Sequence, residues 1–115
     1  MSSRCHLAIP VGDISTALQF YCDVLGCEKG NSEFKYPDAW VDINFWGNEL
    51  TLHSSEEYEK PEAKRHNVDM GNVSVPHFGV HLTADVFAKL KQRLAEHKIK
   101  YIDEPYVRFE GTELE

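Results

Sequence analysis

The chain has 115 residues, 42% of them hydrophobic and 27% charged, a balance that suits one globular domain with a single core. A formal charge of −7, with basic residues dispersed apart from a short AKRH cluster at 63–66, leaves no basic patch of the kind a nucleic-acid binder needs. No apolar run has the length of a membrane span and the N-terminus carries no secretory stretch, so the expectation is a cytoplasmic protein without nucleic-acid or membrane partners.

In chain order, residues 4–11 alternate and end at Gly12–Asp13, which reads as a strand. Asp13 is placed to cap a helix whose apolar positions are Ile14, Leu18, Tyr21, Cys22 and Leu25, with Gly26 as its stop. Residues 28–36 read as a short strand, followed by a Pro37–Asp38 turn. Residues 40–46 alternate strictly, with Val41, Ile43 and Phe45 on one face and Asp42, Asn44 and Trp46 on the other. Gly47–Asn48 signals a hairpin, after which Leu50 and Leu52 oppose Glu49, Thr51 and His53.

Residues 54–74 are polar and lack clean periodicity, which reads as a long loop between two units. A strand is then expected over 75–82, a helix capped by Thr83 with Val86, Phe87, Leu90 and Leu94 inward and His97 near its end, and a further strand over 100–109. Cys5, Cys22 and Cys27 show no metal-type spacing and are expected to be inert reduced thiols.

The second half repeats the first. His6 aligns with His77, Leu7 with Phe78, Ala8 with Gly79 and Ile9 with Val80; after one inserted residue Ile14 aligns with Val86 and Leu18 with Leu90. If the apolar strand faces cover the helices, the opposite faces carry His6, His77, His81, Asp42, Asn44, Trp46, Glu49, Thr51 and His53, joined by Tyr106 and Arg108 from the last strand. A sheet with one wet side is polar there for no further reason. Histidine is different, because neutral imidazole is a common metal ligand, and a matching His in each half is what a metal on a pseudo-twofold axis requires. His66 and His97 read as structural or solvated.

The phrases HLAIPVGDISTALQFYCDVLGC and VPHFGVHLTADVFAKLKQRL resemble the paired modules of the vicinal oxygen chelate superfamily, which includes glyoxalase I, extradiol dioxygenases and the bleomycin- and fosfomycin-resistance proteins. The resemblance implies an α+β fold of tandem βαβββ modules forming an incomplete barrel around a divalent metal. It divides one domain, 1–115, into a first module of about 1–55, a linker at 56–74 and a partial second module at 75–115. Its second module looks truncated: YVRFEGTELE stops where the last two strands, and a glutamate ligand, are expected. Glu110, Glu113 and Glu115 precede that point.

Carried over position by position, the resemblance implies metal ligands at His6 and His77, with His53 as a third and Glu49 as its fallback. His81 is then an acid–base or substrate group, Arg108 an anchor for an anionic substrate, and Trp46, Asn44 and Tyr106 substrate contacts. The implied cofactor is a divalent metal, Fe(II) preferred, with Zn, Ni, Mn or Co as alternatives. The implied function is a small-molecule metalloenzyme holding vicinal substrate oxygens on the metal, with a dioxygenase-like activity preferred. A glyoxalase-I-like lyase or isomerase is one alternative. The other is a non-catalytic protein that sequesters its ligand, as the resistance proteins do. A homodimer is the expected assembly.

Overall fold

The computed structural model describes residues 3–35, 38–55, 64–68, 71–102 and 104–105. Its centre is a four-stranded sheet in the order β1-β4-β3-β2, built from β1 (His6–Val11), β2 (Glu28–Glu33), β3 (Trp40–Phe45) and β4 (Asn48–Ser54). The sheet is open: β1 and β2 form its two edges. β1 lies parallel to β4, and β3 is antiparallel to both of its neighbours. A parallel pair needs a crossover, here supplied by α1 (Ile14–Leu18) and its π-helical continuation Gln19–Val24.

Local chemistry fixes each junction. Asp13 caps α1 by accepting from Thr16 N–H at 2.9 Å and Thr16 Oγ1 at 2.6 Å. The helix ends at Gly26 (φ +84°), whose N–H donates to Cys22 O, while Cys27 N–H donates to Tyr21 O. The β3–β4 connection is a two-residue turn with Trp46 at φ 48° and Gly47 at φ 90°, the double left-handed geometry that matches the twist of a hairpin. Asn44 Oδ1 accepts from Gly47 N–H at 2.8 Å, and Asn48 Nδ2 donates to Phe45 O at 3.2 Å. The turn thus falls one residue earlier than the Gly47–Asn48 expectation. Asn48 is drawn into β4 because its Oδ1 accepts from Cys5 N–H at 3.0 Å while Glu49 N–H donates to Cys5 O at 3.0 Å.

The core sits on the helix side of the sheet. Val41, Ile43, Leu50 and Leu52 are 0–2% exposed, joined by Ile14 and Ala39, with Ile9, Val11, Tyr21, Cys22, Cys27 and Phe45 packed around them. Fully burying each of those four aliphatic side chains is worth about 1.5–3 kcal/mol, so the alternation read from residues 41–52 is what holds the first module together.

The second half departs from expectation. Within the stretch read as a loop, β5 (Lys64–Val68) and β6 (Gly71–Val75) form an antiparallel pair of their own. Backbone pairing of this kind needs no apolar alternation, so pattern reading had no handle on it. β6 ends at Val75 before Pro76, which has no N–H to donate, and residues 77–82 join no ladder among the described residues although a strand was expected over 75–82.

α2 (Ala84–Glu96) forms as expected after Thr83, but none of its residues is buried and Phe87 is 44% exposed. One side chain reaches across the repeat: Arg93 donates from Nε to Val24 O at 2.9 Å and from Nη2 to Asp23 O at 2.8 Å, over Gly26. His97 is the C-terminal cap of α2 and is exposed. Residues 100–102 and 104–105 lie outside any strand, and the rest of the last strand expected from the sequence falls outside the described residues.

Candidate functional site

The polar face of the sheet is organised in rows by the strand register. His6 on β1 stands beside Glu49 on β4, which faces Asn44 on β3, itself across from Glu28 on β2. The next row holds Ala8, Thr51 and Asp42, and the one after it Pro10, His53 and Trp40. Alternation correctly assigned Asp42, Asn44, Glu49, Thr51 and His53 to one face. It could not say which of them would be neighbours.

His6 Nδ1 lies 3.6 Å from Glu49 Oε2, both side chains substantially exposed at 61% and 43%. Thr51 is 6% exposed and donates its hydroxyl to Asp42 Oδ1 at 2.7 Å, which satisfies the one buried polar side chain among the described residues. His53 is four residues along β4 from Glu49, about 13 Å at 3.3 Å per residue, so it stands at the far end of the face from His6. The residue beside His6 is therefore Glu49, the fallback, and not His53.

A cavity of about 310 Å³ opens on this face, lined by Arg4, Asn31, Asp42, Asn44 and Glu49 among others. A second, of about 290 Å³, lies at the end of the sheet against Leu7, Phe45, Leu50 and Phe78, with His6 and Glu49 on its border. Arg4, Asn31 and Asn48 are residues at the 310 Å³ cavity that sequence reasoning passed over. Arg4 precedes His6 by two positions, so period-2 alternation puts it on the same face, and that signal was readable. The role of Asn48 rests on a bond to Cys5 that no local pattern announces.

The remaining candidates are dispersed. Trp46 sits in the turn, its ring edge-on to Phe45 at 4.8 Å. Asn44 uses its carbonyl oxygen to hold that turn. His77 and His81 lie in the segment between β6 and α2, where the neighbouring Phe78 rests on Phe45 at 5.9 Å between ring centres, on the helix side of the sheet. Tyr106 and Arg108 fall outside the described residues, as do Glu110, Glu113 and Glu115.

Among the described residues no group of three His, Cys, Asp or Glu side chains comes close enough to hold a metal ion, so His6, His53 and His77 do not converge. An imidazole and a carboxylate side by side are nonetheless chemically apt as two of the donors that a divalent metal takes. The cysteines are free thiols: Cys5 is exposed, whereas Cys22 and Cys27 are half-buried and burial pushes both thiols up, Cys27 to about 11.

The family model described as the Glyoxalase/Bleomycin resistance protein/Dioxygenase superfamily matches residues 5–112. The chain belongs to this superfamily. Solved structures agree with the glyoxalase-type fold. A glyoxalase/bleomycin resistance protein/dioxygenase from Alicyclobacillus acidocaldarius is 29% identical, with a TM-score of 0.69 over 96% of this chain and 74% of that one. A mutant of the fosfomycin resistance protein FosX from Listeria monocytogenes, complexed with Mn(II) and 1S,2S-dihydroxypropylphosphonic acid, is 11% identical, with a TM-score of 0.61 over 93% of this chain and 76% of that one. The protein SMU.1112c is 20% identical, with a TM-score of 0.57 over 96% of this chain and 86% of that one. No curated protein matches the sequence. The glyoxalase-type chain thus has a mixed α+β fold with an open four-stranded sheet, and among the described residues no helix is long and apolar enough to cross a membrane.

Proposed function

We propose that this chain acts on a small molecule at the polar face of β1 and β4, as a divalent-metal-dependent enzyme of the glyoxalase type. The observation that carries the reading is the His6–Glu49 pair, 3.6 Å apart and held by the pairing of β1 with β4. Membership of a superfamily that contains FosX, which is complexed with Mn(II) in one structure, supports a divalent metal here.

His6 and Glu49 would hold that metal, with further donors coming from residues outside those described or from a second copy of the chain. When bound, such an ion supplies Lewis acidity and a template for vicinal oxygens. The chain's own groups do the rest. Glu49 stands 3.6 Å from the His6 ring, and Asn31 and Asn44 would present amides to a ligand in the 310 Å³ cavity. Thr51 holds Asp42 in place on its floor.

The position of Glu49 favours the lyase or isomerase alternative over the histidine-dominated, dioxygenase-like arrangement. Metal titration followed by elemental analysis tests the assignment. Relative to wild type, H6A and E49A are expected to weaken Mn(II), Fe(II) or Zn(II) binding by about 10-fold or more, since each removes a donor, while H53A leaves it unchanged. Loss of binding in H53A with E49A unaffected would return the site to the histidine-dominated reading.

Sequestration of a ligand without chemistry is the second reading, favoured by the absence of a third converging donor among the described residues. A preparation that takes up none of these metals, yet binds a small molecule in the same cavity, would establish it.

A further inference from the structure

We propose that the 290 Å³ cavity at the end of the sheet seats an apolar group of the ligand. The molecule held at His6 and Glu49 is then an amphiphile, with adjacent oxygens on the polar face and an alkyl or aryl group beside them. The inference deepens the proposed function, because it rests on the His6–Glu49 pair marking the ligand's polar end. The two cavities differ in character. Asn31, Asp42 and Asn44 line the 310 Å³ one, whereas Leu7, Phe45, Leu50, Phe78 and Gly79 line the other. Asn48 and Glu49 line both, and His6 borders the apolar one. A ligand with an oxygen at the pair therefore meets polar surface on one side and apolar surface on the other.

The apolar lining is left open to water. Leu50 is 2% exposed and belongs to the core, but Leu7 and Phe78, equivalent positions of the repeat, are 39% and 46% exposed. Phe78 meets Phe45 at 5.9 Å between ring centres, so the two rings stand together at the cavity. A Cβ added at Gly79 would meet nothing within 4 Å, so that part of the lining is open space. An apolar cavity of about 150 Å³ takes a benzene ring. A volume of 290 Å³ therefore has room for one ring or a short chain. Ligand sites draw much of their affinity from apolar lining and their orientation from a few polar groups, which is the division that these two cavities offer.

The test measures binding of acetohydroxamate, butanohydroxamate and benzohydroxamate to the full chain by NMR titration, with and without Zn(II). Affinity is expected to rise about fourfold for each methylene buried, in both forms of the protein, and benzohydroxamate to bind tightest. The accompanying shifts should fall on the amides of Leu7, Leu50 and Gly79. Gly79→Leu, which fills open space, and Leu7→Ser, which removes apolar lining at an exposed position, should each flatten the rise. Phe34→Ala removes an exposed ring that does not line the cavity, and should keep it. Equal affinity across the series would overturn the proposal, as would a rise that survives in both Gly79→Leu and Leu7→Ser. A rise that vanishes as the protein dimerises would give the cavity to a second copy of the chain, and would overturn it too. The proposed function fails separately. A chain-length rise in a protein that takes up no Zn(II), Mn(II) or Fe(II) sinks only the metal assignment, and intact metal uptake with a flat series sinks only this inference.

Discussion

At the scale of single residues, Trp46 is the position where local conformation and packing conflict. A bulky side chain at φ 48° costs about 1–2 kcal/mol relative to a residue at home in the left-handed region. The edge-on contact with Phe45 returns about 0.5–1.5 kcal/mol. Trp46→Asn, which creates the preferred Asn-Gly hairpin turn, is therefore expected to leave the urea midpoint unchanged or slightly raised. A loss above about 1 kcal/mol would show that the aromatic contact dominates. Cys27 gives a pH test. Its folded-state pKa of about 11 lies above the ordinary 9.0, chiefly through burial, so the stability it contributes is complete below 9.0 and lost as pH rises towards 11. The wild type should lose stability across that window more steeply than C27A in alkaline denaturation curves.

At the scale of elements, α2 is joined to the first module through Arg93, whose guanidinium takes two carbonyls at the end of the π-helical turn. With no buried residue on α2, this contact matters more than its surface position implies. Arg93→Ala is expected to lower stability by about 1.5–2 kcal/mol in urea unfolding, the lower part of the range for hydrogen bonds to a charged donor, and to speed amide exchange over residues 84–96. Equal exchange in both proteins would mean that α2 is held elsewhere. The opening strand, the capped helix and the hairpin were legible in the sequence because Asp13, Gly26 and the alternation of 41–52 are local signals. Of the site, alternation showed the face but not the row, since His53 and Glu49 share a parity and only the pairing with β1 separates them. The second half was less legible. Its resemblance to the first is carried by a few apolar positions, whereas the β5–β6 ladder and the stop at Pro76 depend on backbone bonding.

At the scale of the whole molecule, the Cα radius of gyration of 16.0 Å exceeds the roughly 13 Å of a compact domain of this length. β1 and β2 leave two sheet edges open, and Leu7, Phe20, Phe78 and Phe87 remain substantially exposed. Open edges and scattered apolar side chains are together suited to a second copy of the chain. Sedimentation velocity is expected to show a dimer at micromolar concentration. A monomer throughout the accessible range would leave any further donors to the proposed metal within the same chain.

The parallel pairing of β1 with β4 has a kinetic side. Cys5 and Asn48 are 43 residues apart in sequence, and the His6–Glu49 pair closes a loop of the same length. The β3–β4 hairpin, by contrast, closes through two residues. Loop-closure entropy makes the hairpin the early event and the β1 docking the late one. The imidazole and the carboxylate are therefore expected to meet only after the rest of the first module has condensed, so the proposed site would form last.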